Sequence, residues 1–224
     1  MGKTAIILGA SGLTGQQLLA GLVADKNYDS IKLFSRKKTE NTSSKVTEIV
    51  GDLLTLENFK QDFTADEVFV CICTTAKKTP DKTLYKNIDF GIPTAAATLA
   101  KENHIPTFIV VSAMGANAKS SIFYNKTKGE MEQAVLEKKI PHTYILRPSI
   151  IGGNRNENRP MEKIGVAIFK LLQPLMLGKL KKYRIIEAEN IAKAILYLAN
   201  KKPEINIIES DKIQELALLP STNK

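Results

Sequence analysis

Short apolar runs alternate with longer segments of helical periodicity from the start of the chain. Six such runs, rich in Val, Ile and Phe, predict buried strands at Lys3–Leu8, Ile31–Phe34, Val46–Val50, Glu67–Cys73, Thr107–Ser112 and Thr143–Leu146. The segments between them predict helices at Leu13–Lys26, at Leu56–Phe63, from about Asp89 to Glu102 and from about Ile122 to Lys138. Because strands that alternate with helices form a parallel sheet covered on both faces, the pattern predicts an α/β fold with a doubly wound parallel sheet.

The pattern changes after Pro148. A polar loop is predicted at Ser149–Pro160, an apolar helix at Met161–Leu177, and short strands at Arg184–Ile186 and Ile205–Ile208 around a helix from Glu189 to Asn200. This part is too short for an independent domain. We therefore expect a single domain over residues 1–224, in which residues 149–220 form a small substrate-capping part over the site.

The composition is that of a globular protein without a membrane span. Hydrophobic residues make up 43% of the 224 residues and charged residues 25%, and no apolar run approaches the roughly 18 residues that a transmembrane helix needs. Two cysteines, Cys71 and Cys73, are too few for a disulfide framework and indicate a reducing compartment. No targeting segment is recognisable, so the sequence predicts a cytoplasmic protein without integral membrane association.

The charge is basic, with 32 Lys and Arg against 23 Asp and Glu, a net charge of +9. The lysines occur as scattered pairs without interleaved aromatic residues, so they indicate a solvated surface and no nucleic-acid partner is expected. No cluster of His, Cys and carboxylate residues has the spacing of metal ligands, so no metal site is expected.

The motif Gly9-Ala-Ser-Gly12-Leu-Thr-Gly15 follows the first strand and opens the first helix. In that position, glycines let the backbone turn tightly and approach a pyrophosphate at the positive end of the helix. A plain tight turn is the alternative. The motif predicts a Rossmann fold in which a dinucleotide contacts Gly9, Ser11, Gly12, Leu13, Thr14 and Gly15.

The end of the second strand predicts which dinucleotide binds. NAD-binding proteins place a carboxylate there for the ribose 2′-hydroxyl, whereas this chain has Ser35-Arg36-Lys37-Lys38. Cations suit a 2′-phosphate, so we expect NADP(H) to be preferred over NAD(H), with contacts from Ser35, Arg36 and Lys37. Ordinary loop cations are the alternative. Asp52 and Leu53, after the third strand, either face the adenine or form a simple loop turn.

Tyr124 and Lys128 carry the predicted chemistry. Four residues apart on one helix, they lie on the same face, where the ammonium lowers the pKa of the phenol so that it can exchange a proton with a carbonyl oxygen. Lys128 is also expected to bind the nicotinamide ribose. Ser112, at a strand end upstream, is placed to hold the carbonyl oxygen. The two cysteines are interpreted as core packing, with an approach of Cys73 to the cofactor as the alternative.

Taken together, these residues resemble the short-chain dehydrogenase/reductase superfamily in its extended or atypical branch. Finer features are similar to the Tat-interacting-protein-like oxidoreductases, namely Cys71-Ile-Cys-Thr74-Thr75, Ser112-Ala-Met-Gly115-Ala116, Ser120-Ser121-Ile-Phe-Tyr124, Lys128-Gly129-Glu130, Arg147-Pro148 and Asn158-Arg159-Pro160. The similarity covers nearly the whole chain and is best between Gly9 and Pro160.

The resemblance implies an NADP(H)-dependent oxidoreductase that uses Ser112, Tyr124 and Lys128 in hydride transfer to or from a small carbonyl or alcohol substrate. It also implies that Thr74 and Thr75 line the cofactor and that Pro148, Ser149 and Ile150 lie at the nicotinamide carboxamide. A non-catalytic NADPH-binding protein that senses redox state or regulates a partner is the alternative. Either a monomer or a homodimer is compatible with the resemblance.

Overall fold

Seven parallel strands form the main sheet, in the order β3-β2-β1-β4-β5-β6-β9. The computed structural model describes residues 2–39, 41, 43–75, 77–152 and 178–220. The strands are β1 Lys3–Leu8, β2 Tyr28–Ser35, β3 Val46–Val50, β4 Glu67–Val70, β5 Thr107–Val111, β6 His142–Arg147 and β9 Ile207–Glu209, while β7 Ile151–Gly152 and β8 Ile186–Glu187 pair separately. The order reverses between β1 and β4, which is where ligands bind in folds of this type.

Helices cover both faces of this sheet. They are α1 Leu13–Ala24, α2 Lys82–Lys86, α3 Ile92–Glu102, α4 Phe123–Leu136, α5 Ala188–Lys201 and α6 Ser210–Ala217, with 3-10 helices at Leu53–Phe59 and Gly178–Tyr183 and a π-helical turn at Asn87–Gly91. One apolar core contains side chains of α1, α5 and α6, and the other contains side chains of α3 and α4. The predicted doubly wound α/β fold is confirmed.

The apolar runs of the sequence follow from this double covering. In β1, Ala5 and Ile7 point into one core while Ile6 and Leu8 point into the other, and all four are fully buried. A strand buried on both faces needs a continuous apolar run rather than an alternating one.

Several predicted boundaries differ from the structure, among them the start of β2 at Tyr28 rather than Ile31. The helix expected from Asp89 begins at Lys82, because the Asp81 carboxylate accepts a hydrogen bond from the Leu84 amide and caps the first turn. β4 ends at Val70 rather than Cys73, because the pairing with β1 ends at Leu8 and the chain then turns at Gly9. A 3-10 helix occupies Leu53–Phe59 in place of the helix predicted at Leu56–Phe63.

The described part of the C-terminal segment adds one strand to the main sheet and two helices to one of its faces. β9 pairs with β6 through Ile207 opposite Ile145. On α1, a Cβ at Gly21 would lie 2.8 Å from Leu196 Cδ1, so α5 packs closely against that helix. The predicted loop 149–160 beyond Gly152 and the predicted helix 161–177 lie outside the described residues, so the capping role of residues 149–220 stays a prediction. None of the described helices is long and apolar enough to cross a membrane.

Candidate active site

The glycine motif turns the chain sharply between β1 and α1. Gly9 has φ +91°, a conformation that side chains other than glycine rarely adopt, and a Cβ there would lie 2.8 Å from the carbonyl carbon of Cys71. At Gly15 a Cβ would lie 2.1 Å from Gly9 O. Gly12 N donates a hydrogen bond to Gly9 O at 3.1 Å, and Gly12 itself caps α1 without any side chain. The other motif residues predicted to contact the dinucleotide differ in burial: Ser11 is exposed, Leu13 is half-buried and Thr14 is buried.

This loop fits a dinucleotide pyrophosphate. The first amides of α1 have no capping side chain, and no acidic residue lies in the first turn to repel an anion. Such a helix start carries partial positive charge.

The end of β2 presents the predicted cations to solvent. Arg36 and Lys37 are exposed, and Ser35 Oγ donates a hydrogen bond to the Lys37 carbonyl oxygen at 2.6 Å, which shapes the turn. Asp52, after β3, accepts a hydrogen bond from Leu54 N at 3.0 Å and caps the 3-10 helix that begins at Leu53. Leu53 itself is buried in the core.

Tyr124 and Lys128 lie on α4, where the spacing predicted them. Tyr124 is 39% exposed, while Lys128, one turn further along α4, is fully buried. Burial raises the pKa of the Tyr124 phenol, and the Lys128 ammonium opposes that rise. The pair thus combines an accessible proton donor with a charge that stabilises its deprotonated form.

Asp89, from the π-helical turn, completes this pair. Its carboxylate lies 2.7 Å from Lys128 Nζ and accepts a hydrogen bond from the Thr74 amide at 2.8 Å. Thr74 Oγ1 hydrogen-bonds Thr79 Oγ1, and Thr75 begins the turn whose amides at Lys78 and Thr79 bond to its carbonyl oxygen. The structure therefore connects Thr74, after β4, to Lys128 on α4.

Ser112, directly after β5, is engaged by an acidic side chain of α4. It is 5% exposed, and its hydroxyl donates a hydrogen bond to Glu132 Oε1 at 2.6 Å. Glu132 also receives two hydrogen bonds from Arg147, at 3.0 and 2.6 Å, and Arg147 reaches Glu209 at 3.1 Å. These contacts raise the pKa of the Arg147 guanidinium, chiefly through the hydrogen bonds with Glu132.

The residues predicted at the nicotinamide follow β6. Pro148 accepts a hydrogen bond from Met114 N at 2.9 Å, and Ile150 accepts one from Ile186 N at 3.0 Å. The Ser149 hydroxyl donates to the Arg184 carbonyl oxygen and accepts from the Ser210 hydroxyl at 3.1 Å. The Ile150 side chain is exposed.

Two acidic residues that sequence reasoning missed hold this site together. The sequence pattern predicts Asp89 only as the start of a helix and gives Glu132 no role. The signal for both is a carboxylate with apolar residues three or four positions away on the same helix face, Tyr85 and Ile92 for Asp89 and Val135 for Glu132. A charge on such a face needs a buried partner.

Comparison with known proteins shows the family and the fold of this chain. Residues 9–201 match the sequence profile of a family described as NAD(P)H-binding. "Protein FMP52, mitochondrial" of Candida albicans is 32% identical over 223 residues, covering 94% of this chain and 96% of its own. "Protein HTATIP2" of Rattus norvegicus is 29% identical over 170 residues, covering 75% of this chain and 70% of its own. The Bordetella bronchiseptica enzyme WbmH in complex with NAD+ shares the fold, with a TM-score of 0.71 at 15% identity over 97% of this chain and 80% of that chain.

The comparisons also correct one prediction. A cytoplasmic location is wrong, because the yeast relatives, at up to 33% identity, are named mitochondrial proteins. The prediction relied on the lack of a recognisable targeting segment, and that lack does not specify a compartment. The profile match over most of the chain and the relative aligned along nearly its full length identify this protein as a member of the NAD(P)H-binding family, within the atypical short-chain dehydrogenase/reductase-like proteins.

Proposed function

We propose that this protein is an NADP(H)-dependent oxidoreductase that transfers hydride to or from a small carbonyl or alcohol substrate. The observation that carries the proposal is that α4 pairs the half-exposed Tyr124 with the fully buried Lys128, whose charge acts on the Tyr124 phenol. A chain of contacts joins the glycine loop to Lys128. Gly9 packs against Cys71 after β4, and Asp89 connects Thr74, three residues further on, to Lys128.

The residues of the chain have separate tasks in this proposal. A bound nicotinamide would supply the redox chemistry, namely the hydride for the carbonyl carbon. Tyr124 donates its phenolic proton to the carbonyl oxygen, so that the carbonyl becomes an alcohol and the tyrosine a phenolate. Lys128 stabilises that phenolate by its charge, but its ammonium is fully buried against Asp89 and does not face a ribose. Thr74, Thr75 and the backbone from Pro148 to Ile150 line the cofactor, and Ser112 orients the carbonyl.

Turnover is tested with an aldehyde and quinone panel in the presence of NADPH. We expect Tyr124→Phe to bind NADPH as the wild type does and to lose at least about 10²-fold in kcat, since general acid catalysis contributes about 10²–10⁴-fold. NADPH oxidation is followed by absorbance, with binding measured separately by nicotinamide fluorescence. Equal turnover by Tyr124→Phe and wild type would contradict the role of the phenol.

Cofactor preference is tested at the end of β2. Arg36→Glu puts a carboxylate where a 2′-phosphate is proposed to bind, so NADPH affinity is expected to fall about tenfold or more while NADH affinity changes much less. Lys26→Glu makes the same charge change just before β2, at the opposite edge of the sheet, and serves as the control. If both variants weaken NADPH equally, the effect is one of net charge, and the proposed 2′-phosphate site fails.

A second function is favoured by one observation. The Ser112 hydroxyl already donates its hydrogen bond to Glu132, so the group proposed to hold the substrate carbonyl is occupied. This favours a protein that binds NADPH without turnover and senses redox state or regulates a partner. Selective NADPH binding with no turnover on the panel would support it.

We also propose a mitochondrial location, on the basis of the relatives' names. Subcellular fractionation of the untagged protein, with detection by antibody, tests it. Recovery with mitochondrial markers supports the proposal, and recovery with cytosolic markers alone refutes it.

A further inference from the structure

The ion pair between Asp89 and Lys128 is fully removed from solvent. Both side chains are 0% exposed, and the carboxylate and ammonium lie 2.7 Å apart. Burying each charge costs several kcal/mol of solvation, and an apolar pair of the same volume is often equally stable or more stable. Fold stability alone is therefore a poor explanation of this pair, and the action of both its charges on the pKa of Tyr124 indicates a role in the site.

The π-helical turn Asn87–Gly91 brings Asp89 to this position. The Ile92 amide donates to the Asn87 carbonyl oxygen, five residues earlier, instead of following the α-helical pattern. Pro93 has no amide hydrogen to donate to the carbonyl of Asp89, so the ladder of the helix is interrupted at Asp89. Single π turns inserted between α-helical segments are frequent at functional sites.

Asp89 has a second partner on another element. Its other carboxylate oxygen accepts the hydrogen bond from the Thr74 amide at 2.8 Å. One side chain therefore fixes both the segment after β4 and the ammonium on α4. Two contacts to two elements restrict the Asp89 rotamer and, with it, the place of Lys128 Nζ.

We propose that Asp89 is the positioning residue of this site, which holds the Lys128 ammonium in place beside Tyr124 and ties it to the Thr74 backbone after β4. The inference rests on the proposed function for its catalytic meaning. The structural part, that Asp89 is the counter-ion that keeps Lys128 charged, stands independently of any substrate.

The groups that face Lys128 come from three elements. They are Asp89 in the π turn, Tyr124 on α4 and Cys73 after β4, and Tyr85 on α2 faces the same group of residues. Burial alone would lower the pKa of the Lys128 ammonium, but the neighbouring groups, Asp89 first among them, hold that pKa above its usual value. Without Asp89, a fully buried ammonium is expected to lose its proton near neutral pH.

The test is a pH titration of the Lys128 side chain by NMR of protein labelled with ¹³C at lysine Cε. The Lys128 signal is assigned by its absence from Lys128→Met. Asp89→Asn removes the charge but keeps an oxygen that can accept from the Thr74 amide. We expect Lys128 to titrate at least about two pH units lower in Asp89→Asn than in wild type. Glu130→Gln is the matched control. Glu130 lies on α4, as Lys128 does, but its carboxylate pairs with Lys86 and Lys126 instead of Lys128.

Two results would overturn the inference. One is an Asp89→Asn protein whose Lys128 stays charged over the wild-type range. The other needs no variant and applies even where Asp89→Asn does not fold: a wild-type Lys128 that titrates below about 10.4, the value of a free lysine, would show that Asp89 does not hold the charge.

A pH profile links the inference to catalysis and separates its failure from that of the proposed function. Alcohol oxidation needs the Tyr124 phenolate, and Lys128 lowers the phenol pKa more than Asp89 raises it. Loss of the Lys128 charge in Asp89→Asn should therefore move the acidic limb of the oxidation profile up by about one pH unit, with Glu130→Gln unchanged. The probe is the alcohol of whichever panel compound turns over. If the wild type shows no turnover, only the proposed reductase function is refuted, because the NMR titration still decides the role of Asp89. If the acidic limb of the Asp89→Asn oxidation profile does not move, the positioning role of Asp89 is refuted.

Discussion

The hydroxyl of Tyr85 is buried without a hydrogen-bond partner among the described residues. The side chain is 3% exposed, and its ring packs edge-on against Phe123 and Tyr124, at centroid distances of 5.5 and 6.4 Å. Burial, followed by the charge of Asp89, raises the pKa of this phenol, so it stays protonated. A buried hydroxyl without a partner costs about 1–3 kcal/mol.

Tyr85→Phe is therefore expected to raise the free energy of unfolding by about 1 kcal/mol, since it removes an unsatisfied group and keeps the ring. Tyr28→Phe is the matched control: the Tyr28 hydroxyl donates to the buried Glu67 carboxylate at 2.5 Å, and its loss should lower the free energy of unfolding by about 1–3 kcal/mol. Urea denaturation measures both. Equal destabilisation by the two variants would show that the Tyr85 hydroxyl is satisfied in solution.

At the scale of single residues, the sequence was sufficient where spacing along one helix defines the geometry. Tyr124 and Lys128 lie together because residues four apart share a helix face. The partners of Lys128 and Ser112 were not predictable in this way, since Asp89 and Glu132 come from other parts of the chain. Their pairing depends on how the elements pack, and a single sequence does not specify that.

Among the elements, the β1–α1 turn contains two glycines with different amounts of space for a Cβ atom. A Cβ at Gly15 would lie 2.1 Å from Gly9 O, whereas one at Gly12 would lie 3.4 Å from the same atom. We expect Gly15→Ala to lower the free energy of unfolding by about 1–3 kcal/mol through overpacking of α1 against the loop. Gly12→Ala should keep the stability of the wild type and weaken NADPH binding by about tenfold, because the methyl group obstructs the approach of a pyrophosphate.

Thermal unfolding and nicotinamide fluorescence separate these two effects. Equal melting temperatures for the two variants would contradict the packing argument. Unchanged NADPH affinity in Gly12→Ala would show that the phosphates do not approach this amide.

Element boundaries were predicted less well than element types, for local reasons. Glu67–Cys73 is apolar enough for a longer strand, but β4 stops where β1 stops offering partners. The helix before Asp89 has an exposed, lysine-rich first turn and so lacks an early apolar stripe. The π turn itself follows from Pro93 and from the contacts of Asp89, and only the second of these needs the folded structure.

Across the whole molecule, several protons are held more firmly in the folded state than in the unfolded chain. In Lys128 and Arg147 burial opposes the rise, which comes from the acidic partners Asp89 and Glu132. Burial is the largest cause of the raised pKa in the other groups, which are Tyr28, Cys71, Tyr85, Tyr124 and Tyr144. A group whose folded pKa is raised stabilises the fold fully below its unfolded pKa and loses that contribution as pH rises towards the folded pKa.

The fold is therefore expected to lose stability as pH rises above about 9. Burial raises the pKa of the Cys71 thiol from 9.0 to about 12, so above pH 9 the unfolded chain ionises this thiol and the folded chain does not. The unfolded state then binds fewer protons, and Cys71 alone lowers the free energy of unfolding by about 1.4 kcal/mol per pH unit. Urea denaturation between pH 7 and 10.5 should show this slope begin near pH 9.

Cys71→Ala should have a shallower slope between pH 9 and 10, whereas Tyr28→Phe should differ from wild type in slope only above about pH 10, where unfolded tyrosine ionises. An identical slope in Cys71→Ala and wild type would mean that the thiol is not shielded in the folded protein.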